Sequence, residues 1–187
     1  MASTQASTRF VILAGLPGTG KTALAEALAQ RIGGVVLSKD AVRASVFAPE
    51  EIDYSRAQND YVMSLILKDA QRIARERSQA FVFLDGRTFS RAQEVEQVVR
   101  AAAECGADVR TLHLHCPESL ALQRISRDLG KHVAADRDAE LYFRIAAQFE
   151  PITLPKLDVD TSLGLEECVE QCVGYLSEGG MELPENG

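Results

Sequence analysis

The sequence lacks the features that would place it in or across a membrane. In 187 residues there is no apolar run long enough to span a bilayer. Residues 1–8 contain no apolar segment of the kind found in secretory signals, and we expect them to be a disordered lead-in. The four cysteines form no C-x-x-C pair, which favours reduced thiols over a metal or redox motif. These absences predict a cytoplasmic protein with no membrane partner.

The chain also lacks an excess of basic residues. Its net charge is −7, and residues 157–187 contain eight acidic and no basic residues, which includes a predicted flexible acidic tail at 177–187. Residues 1–156 hold 20 basic and 19 acidic residues, so this part is close to neutral. Because nucleic-acid-binding proteins usually carry a strongly basic face, the balance favours a small-molecule substrate, although a local groove could still be basic.

Short apolar runs alternate with helical patterns along the chain. Strands are predicted at 10–14, 34–37, 80–84, 109–115 and 152–159. Helices are predicted at 22–32, 41–47, 55–77, 91–105, 117–128, 139–149 and 165–176. This alternation predicts an α/β domain over 9–176, with a parallel sheet covered by helices on both faces. In such sheets, ligands bind beyond the carboxyl ends of the strands.

A glycine-rich segment, GLPGTGKT at 15–22, follows the first predicted strand and fits G-x-x-x-x-G-K-[ST] at every fixed position. Glycines let backbone amides approach phosphate oxygens, and the helix that follows directs its positive dipole end at the same anion. Lys21 is predicted to reach the β- and γ-phosphates of ATP, and the Thr22 hydroxyl to bind Mg²⁺. The predicted nucleotide-binding residues are Gly15, Pro17, Gly18, Thr19, Gly20, Lys21 and Thr22.

Two aspartates that follow predicted strands are candidates for the chemistry. Asp40 could accept the proton of an attacking hydroxyl group, although its position is explained equally well by capping of the helix at 41–47. Asp85 ends an apolar strand in the pattern of an acid that holds the Mg²⁺ shell. The reverse assignment, with Asp85 as the base and Asp40 positioning the substrate, is an alternative.

Five arginines are candidates for binding anions. Arg43 lies three residues after Asp40 on one helix face, where it could bind an anionic group of the substrate. Arg87 and Arg91 could also contact substrate, but the solvated start of a helix is the simpler interpretation of both. Arg124 and Arg127 begin a predicted lid at about 124–137, which would cover the nucleotide and neutralise charge on the transferred phosphoryl group. An ordinary basic surface helix is the alternative.

In this order, the motifs resemble the small P-loop kinases of the AAA_33 and zeta-toxin-like group. That group includes polynucleotide 5′-kinases, chloramphenicol phosphotransferase-like enzymes and sugar kinases. The resemblance spans about residues 9–176. It rests on the P-loop, SKDAVR at 38–43, the Arg124/Arg127 pair, FEP at 149–151 and LDVD at 157–160.

The resemblance implies a three-layer P-loop NTPase fold with a five-stranded sheet of order 2-3-1-4-5. It also implies an ATP:hydroxyl phosphotransferase that uses ATP and Mg²⁺. In the polynucleotide kinases of the group, the residue matching Asp40 is the general base and the residue matching Arg43 holds a substrate phosphate. Arg124 and Arg127 match lid arginines. The Asp85-Gly86-Arg87 segment matches no single subfamily.

The predicted function is therefore transfer of the γ-phosphate of ATP to a hydroxyl group of a small molecule. A polynucleotide 5′-hydroxyl kinase with the same machinery is the first alternative, and a non-catalytic ATP-binding switch or partner-binding module is the second. A GTPase switch is disfavoured because the sequence has no N-K-x-D guanine motif. The sequence identifies neither the acceptor nor the oligomeric state.

Overall fold

A computed structural model describes residues 7–128 and 139–177 of the chain. The strands are β1 (Arg9–Ala14), β2 (Val35–Ser38), β3 (Phe81–Asp85), β4 (Asp108–His115) and β5 (Lys156–Asp160). The helices are α1 (Lys21–Ile32), α2 (Lys39–Val46), α3 (Arg56–Glu76), α4 (Ala92–Ala103), α5 (Glu118–Asp128), α6 (Ala139–Ala146) and α7 (Leu165–Ser177), with a 3₁₀ turn at Pro49–Glu51.

The five strands form one parallel sheet in the order β2-β3-β1-β4-β5, which confirms the predicted fold and strand order. The central strand, β1, pairs with β3 on one side and β4 on the other; Ile12 lies opposite Leu84 and Thr111. Since all strands run the same way, their carboxyl ends meet at one edge of the sheet. That edge holds the P-loop after β1, Asp40 just after β2 and Asp85 at the end of β3.

Two apolar layers fix the helices on the sheet. On one face, Phe10 and Ile12 of β1 pack in a cluster with residues of α3 and α4. On the other face, Val11 and Leu13 pack with residues of α1 and α7, including buried Cys172. Residues from Phe10 to Ala14 are fully buried, as expected for a strand covered on both sides. The result is a three-layer arrangement with the carboxyl edge of the sheet left open.

Most predicted boundaries agree with the structure to within two residues, but two elements are shorter than predicted. Strand β5 begins at Lys156 because Pro155 has no backbone N–H to donate to the ladder. Helix α6 ends at Ala146, followed by a turn, because the N–H of Glu150 donates to the carbonyl oxygen of Ser90 and a proline follows at 151.

Both chain ends and the proposed lid fall partly outside the described residues. Thr8, placed by the sequence in a disordered lead-in, is buried, and its hydroxyl donates to the carbonyl oxygen of Gln79 at 2.8 Å. The ordered chain therefore starts before Arg9. Most of the predicted lid (129–137) and of the acidic tail (178–187) lies outside the described ranges. Among the helices in those ranges, none is long and apolar enough to cross a bilayer.

Candidate active site

The P-loop is shaped by close contacts with the elements beneath it. Gly15 has φ +145°, and a Cβ there would lie 2.3 Å from the carbonyl oxygen of Leu114. Gly18 has φ +77°, and a Cβ there would lie 2.5 Å from the carbonyl oxygen of Ala121. Any side chain at either position would collide with backbone, so both must be glycine for the loop to keep this shape.

Lys21 is the first residue of α1 and its side chain bridges the loop. Its Nζ donates to the carbonyl oxygens of Gly15 at 2.9 Å and Leu16 at 2.8 Å. The Thr19 hydroxyl donates to the same Leu16 carbonyl at 2.8 Å. These contacts hold a compact cradle with an ammonium group inside it. Such a cradle fits the phosphate groups of a nucleotide.

Thr22 and Asp85 meet beside the cradle. The Thr22 hydroxyl lies 3.1 Å and 2.9 Å from the two carboxylate oxygens of Asp85. Asp85 is only 5% exposed, and this burial raises its pKa, while the hydrogen bond from Thr22 and the charge of Lys21 act in the opposite direction.

This pair fits Mg²⁺, which prefers hard oxygen ligands. The described residues contain no group of three or more His, Cys, Asp or Glu side chains suited to a metal.

Asp40 lies in the first turn of α2 but does not cap it. The Ser38 hydroxyl accepts the hydrogen bond from the N–H of Ala41 at 3.4 Å, so the capping interpretation of Asp40 is wrong. Asp40 instead accepts a hydrogen bond on Oδ1 from Nη1 of Arg43 at 2.8 Å. Its side chain is 24% exposed and lines the cleft described below.

Arg43 is the most deeply placed cation of the site, with a side chain that is 2% exposed. Besides binding Asp40, it donates from Nη2 to Oδ1 of Asn59 at 2.5 Å. Its guanidinium carbon lies 4.8 Å from the centre of the Tyr54 ring, a cation–π contact. These contacts link α2 to the start of α3, so in this conformation Arg43 positions Asp40.

Arg87 is not the solvated start of a helix. Its side chain is 11% exposed, and its Nη2 lies 2.8 Å from Oδ1 of Asp60 and 3.0 Å from Oε1 of Glu94. Asp60 is on α3 and Glu94 on α4, so Arg87 joins two helices at the edge of the site.

The two predicted lid arginines lie in different surroundings. Arg124 donates from Nη1 to the carbonyl oxygen of Gly18 at 3.4 Å and to the Thr161 hydroxyl at 3.1 Å, and from Nη2 to the carbonyl oxygen of Thr161 at 2.7 Å. It thereby connects the P-loop to the end of β5. Arg127 is exposed on α5 and does not line the cleft. The 129–137 part of the proposed lid lies outside the described residues.

A cleft of about 820 Å³ at the carboxyl edge of the sheet brings most of the predicted residues together. Its lining includes the P-loop with Thr22 and Asp85, together with Asp40 and Arg43 of α2. The predicted site residues that line it are Pro17, Gly18, Gly20, Lys21, Thr22, Asp40, Arg43, Asp85, Arg87 and Arg124. Gly15 and Thr19 lie beneath the cradle surface and support it from within.

The sequence analysis missed a wall of the cleft formed by α6 and the turn after it. Its lining residues are Leu141, Arg144, Ile145 and Gln148. They recur at i, i+3, i+4 and i+7, so they share one helix face. This spacing is visible in the sequence, but nothing in it distinguishes a face that lines a site from one that packs on a core. Tyr54 and Asn59, which also line the cleft, belong to no local motif of the sequence.

The comparisons with known proteins agree with this geometry. A family model for AAA_33, described as an AAA domain, matches residues 10–152, which is more than half of the chain. No curated protein sequence matches the chain. Among solved structures, a sugar kinase from Janibacter sp. HTCC2649 is similar, with 20% identity and a TM-score of 0.67 over 90% of this chain and 94% of that chain.

Two further structures have the same fold. A gluconokinase from Sinorhizobium meliloti 1021 has 17% identity and a TM-score of 0.65 over 92% of this chain and 93% of that chain. The APS kinase of Mycobacterium tuberculosis, in complex with AMPPNP and APS, has 17% identity and a TM-score of 0.69 over 92% of this chain and 99% of that chain. The fold is thus that of small P-loop kinases, and the family match shows that the chain belongs to the AAA_33 family of AAA domains.

Proposed function

We propose that this protein transfers the γ-phosphoryl group of ATP to a hydroxyl group of a small molecule. The observation that carries the proposal is the arrangement of the cleft. A phosphate cradle with Lys21 and a hard-oxygen pair of Thr22 and Asp85 line the same cleft as a second carboxylate, Asp40. A nucleotide-binding module needs the first two features, whereas a further carboxylate in the cleft suits an enzyme that must remove a proton from the attacking group.

In the proposed reaction, the acceptor oxygen forms a bond to the γ-phosphorus as the bond to the β,γ-bridging oxygen breaks and ADP leaves. Asp40 accepts the proton of the attacking hydroxyl group. Lys21 and the loop amides hold the phosphate oxygens, and Arg124 adds positive charge beside Gly18. Bound between Thr22, Asp85 and the nucleotide, Mg²⁺ would neutralise charge on the phosphates.

Between the two carboxylates, the contacts favour Asp40 as the base. Both oxygens of Asp85 face the Thr22 hydroxyl, and the residue is 5% exposed. Asp40 is more accessible, at 24%, and Arg43 fixes its orientation. A base must reach a proton on the acceptor in the open part of the cleft, which Asp40 can do and Asp85 can do less readily.

The similar structures support a small acceptor. They are described as a sugar kinase, a gluconokinase and an APS kinase, and the last was solved with AMPPNP and APS. The size of the cleft, about 820 Å³, lies within the usual range for a site that binds small molecules.

The test is an ADP-release screen of the whole chain with Mg·ATP over hydroxylated metabolites, nucleosides, antibiotics and 5′-hydroxyl oligonucleotides. We expect acceptor-dependent ADP formation above the basal hydrolysis rate, with the phosphorylated product visible by mass spectrometry. ATP binding without turnover of any acceptor, together with ATP-dependent capture of a defined protein, would instead identify a non-catalytic switch.

A further inference from the structure

The acceptor half of the cleft is basic, in contrast to the chain as a whole. This half comprises the lining residues from α2, α3, the 86–94 segment and α6. Two acidic side chains, Asp40 and Glu94, line it. Its six basic side chains are Lys39, Arg43, Arg56, Arg87, Arg91 and Arg144. The whole chain has a net charge of −7, so the fold concentrates positive charge at this place.

Three of these arginines have carboxylate partners. Arg43 binds Asp40, and Arg87 binds Asp60 and Glu94. Arg56 lies 3.8 Å from the other oxygen of Asp60. Their charges are therefore largely balanced within the protein, and their contacts fix the walls of the cleft.

Arg91 and Arg144 differ from them. Arg91 is half-buried, and its Nη2 donates only to the amide oxygen of Gln148 at 3.4 Å. Arg144 lies four residues before Gln148 on the same face of α6 and lines the same cleft. Across residues 7–128 and 139–177, neither arginine has an ion-pair partner. Two cations without counter-charges thus face a partly enclosed space.

Such a pair has the chemistry of an oxyanion site. A guanidinium group presents several N–H donors in a plane that matches the oxygens of carboxylate, phosphate or sulfate. Positive charge inside a cleft with low-dielectric walls also raises the local concentration of anions. We propose that the phosphoryl acceptor carries such an anionic group, which Arg91 and Arg144 bind while its hydroxyl group faces Asp40. This inference rests on the proposed kinase function.

A small anion fits better than a polynucleotide. A polynucleotide needs a basic track that continues beyond the site and follows successive phosphates. Apart from the residues that line the cleft, residues 1–156 hold 12 basic and 15 acidic residues, so they carry no excess of positive charge. The net positive charge of this part of the chain thus belongs to the residues that line the cleft.

Matched acceptor pairs test the inference, each pair differing in one anionic group. Gluconate with sorbitol and ribose 5-phosphate with ribose are two such pairs, within a wider panel that includes a 5′-hydroxyl oligonucleotide. We expect the acceptor with the highest kcat/KM to be a small anionic member of the panel. The kcat/KM of its neutral counterpart should be at least about tenfold lower, the size of effect expected for loss of one charged hydrogen bond.

Variants then locate the anion. Arg91→Gln and Arg144→Gln should each raise the KM for the anionic acceptor by about tenfold to a hundredfold, with the KM for ATP unchanged. Arg72→Gln removes the same charge from an exposed ion pair of α3 outside the cleft and should change neither constant. Because Arg144 is exposed, its replacement should leave the melting temperature unchanged.

The outcomes separate the two hypotheses. If a neutral member is phosphorylated as well as its anionic counterpart, or if the arginine variants keep the acceptor KM, the inference is overturned and the kinase function stands. Preferred phosphorylation of the oligonucleotide also overturns it, in favour of a polynucleotide acceptor. If no member is phosphorylated while Mg·ADP still binds, the kinase function itself fails, and this inference fails with it.

Discussion

At the scale of single residues, Lys21 is the side chain on which the phosphate cradle most directly depends. Its Nζ sits between the carbonyl oxygens of Gly15 and Leu16, where an incoming phosphate oxygen can replace them. Lys21→Ala removes this charge, and we expect acceptor-dependent turnover to fall at least about a hundredfold. This is the usual effect of removing a hydrogen-bond donor that stabilises negative charge in a transition state. ADP-release kinetics measure this. Lys68→Ala, on the exposed surface of α3, is the matched control and should retain full activity.

The proposed role of Asp40 as general base can be tested separately, since a base is needed for transfer but not for nucleotide binding. Asp40→Asn should lower kcat by about 10²- to 10⁴-fold, the usual contribution of general-base catalysis. The Kd for a non-hydrolysable ATP analogue should stay within about twofold of the wild-type value. Loss of one charged hydrogen bond to the nucleotide would change this Kd by much more. Asp69→Asn, in an exposed ion pair of α3, serves as the control. Wild-type kcat in Asp40→Asn would rule out the base assignment.

We expect the carboxylate of Asp85 to support turnover but to lower the stability of the folded protein. Burial raises its pKa in the folded protein, so folding favours the protonated form. The folded state therefore binds the proton more tightly than the unfolded state, and stability falls as pH rises from the ordinary aspartate pKa of 3.8 through the raised pKa. At neutral pH the buried carboxylate destabilises the nucleotide-free protein.

We accordingly expect Asp85→Asn to raise the melting temperature at pH 7 while abolishing Mg²⁺-dependent turnover. The gain should shrink as the pH is lowered, because the wild-type carboxyl group then becomes protonated and neutral. Thermal unfolding at several pH values measures this. A lower melting temperature for Asp85→Asn at pH 7 would contradict this prediction. It would mean that the contact of the carboxylate with Thr22 stabilises the protein more than burial of its charge destabilises it.

At the scale of elements, Glu150 connects the end of the α6 segment to the start of α4. Its Oε2 accepts a hydrogen bond from the N–H of Ala92 at 2.7 Å, and its own N–H donates to the carbonyl oxygen of Ser90 at 2.8 Å. The carboxylate therefore caps α4 from a distant part of the sequence. It also holds the segment that carries Arg87 and Arg91.

Glu150→Ala should destabilise the protein by about 1 kcal/mol, as for loss of a helix cap. It should also raise the KM for the acceptor more than the KM for ATP, because the P-loop is not part of this contact. Glu150→Gln keeps an accepting oxygen, so its stability and its KM for the acceptor should both be close to the wild-type values. Glu96 is exposed on α4, so Glu96→Ala is the control for loss of a surface carboxylate. Equal effects of Glu150→Ala and Glu96→Ala would argue against the capping role.

At the scale of the whole molecule, the open edge of the sheet makes folding and ligand binding interdependent. Lys21 and Thr22 follow the central strand β1 and Asp85 ends the neighbouring strand β3, far away in sequence, so a nucleotide bound to them stabilises only the folded state. At a hundred times its Kd, Mg·ADP should add about 2.7 kcal/mol to the free energy of unfolding. For a chain of this length that corresponds to a rise of roughly 5–11 °C in melting temperature.

Differential scanning fluorimetry measures the shift. Chelation of Mg²⁺ with EDTA should reduce it, because Thr22 and Asp85 then no longer contribute through the metal. Lys21→Ala should remove most of the shift, whereas Lys68→Ala should keep it. A wild-type shift in Lys21→Ala would place the nucleotide elsewhere.

Much of the fold was predictable because its signals are local. The helical and strand periods lie within windows of a few residues, and the P-loop motif with its flanks is continuous in the sequence. The exceptions have non-local causes. Helix α6 ends early because Glu150 bonds to Ser90, a residue sixty positions away in the chain, and β5 starts late because pairing with β4 begins only after Pro155.

The candidate site shows the same division. Lys21, Thr22, Asp40 and Asp85 could be named from the sequence because each belongs to a local pattern. The partners that decide how they work could not. Asn59 and Tyr54 around Arg43, and Thr161 beside Arg124, are set by packing between helices and loops far apart in sequence.

By itself, the sequence determined that this chain is a P-loop protein with a parallel sheet, since backbone geometry and apolar periodicity dictate both. Tertiary structure alone decided where the charged side chains gather. Residues 1–156 look nearly neutral when counted along the chain, yet folding gathers the arginines of four separate segments around one cleft. Electrostatic interactions depend on distance in space, and a linear count of charges contains no distances.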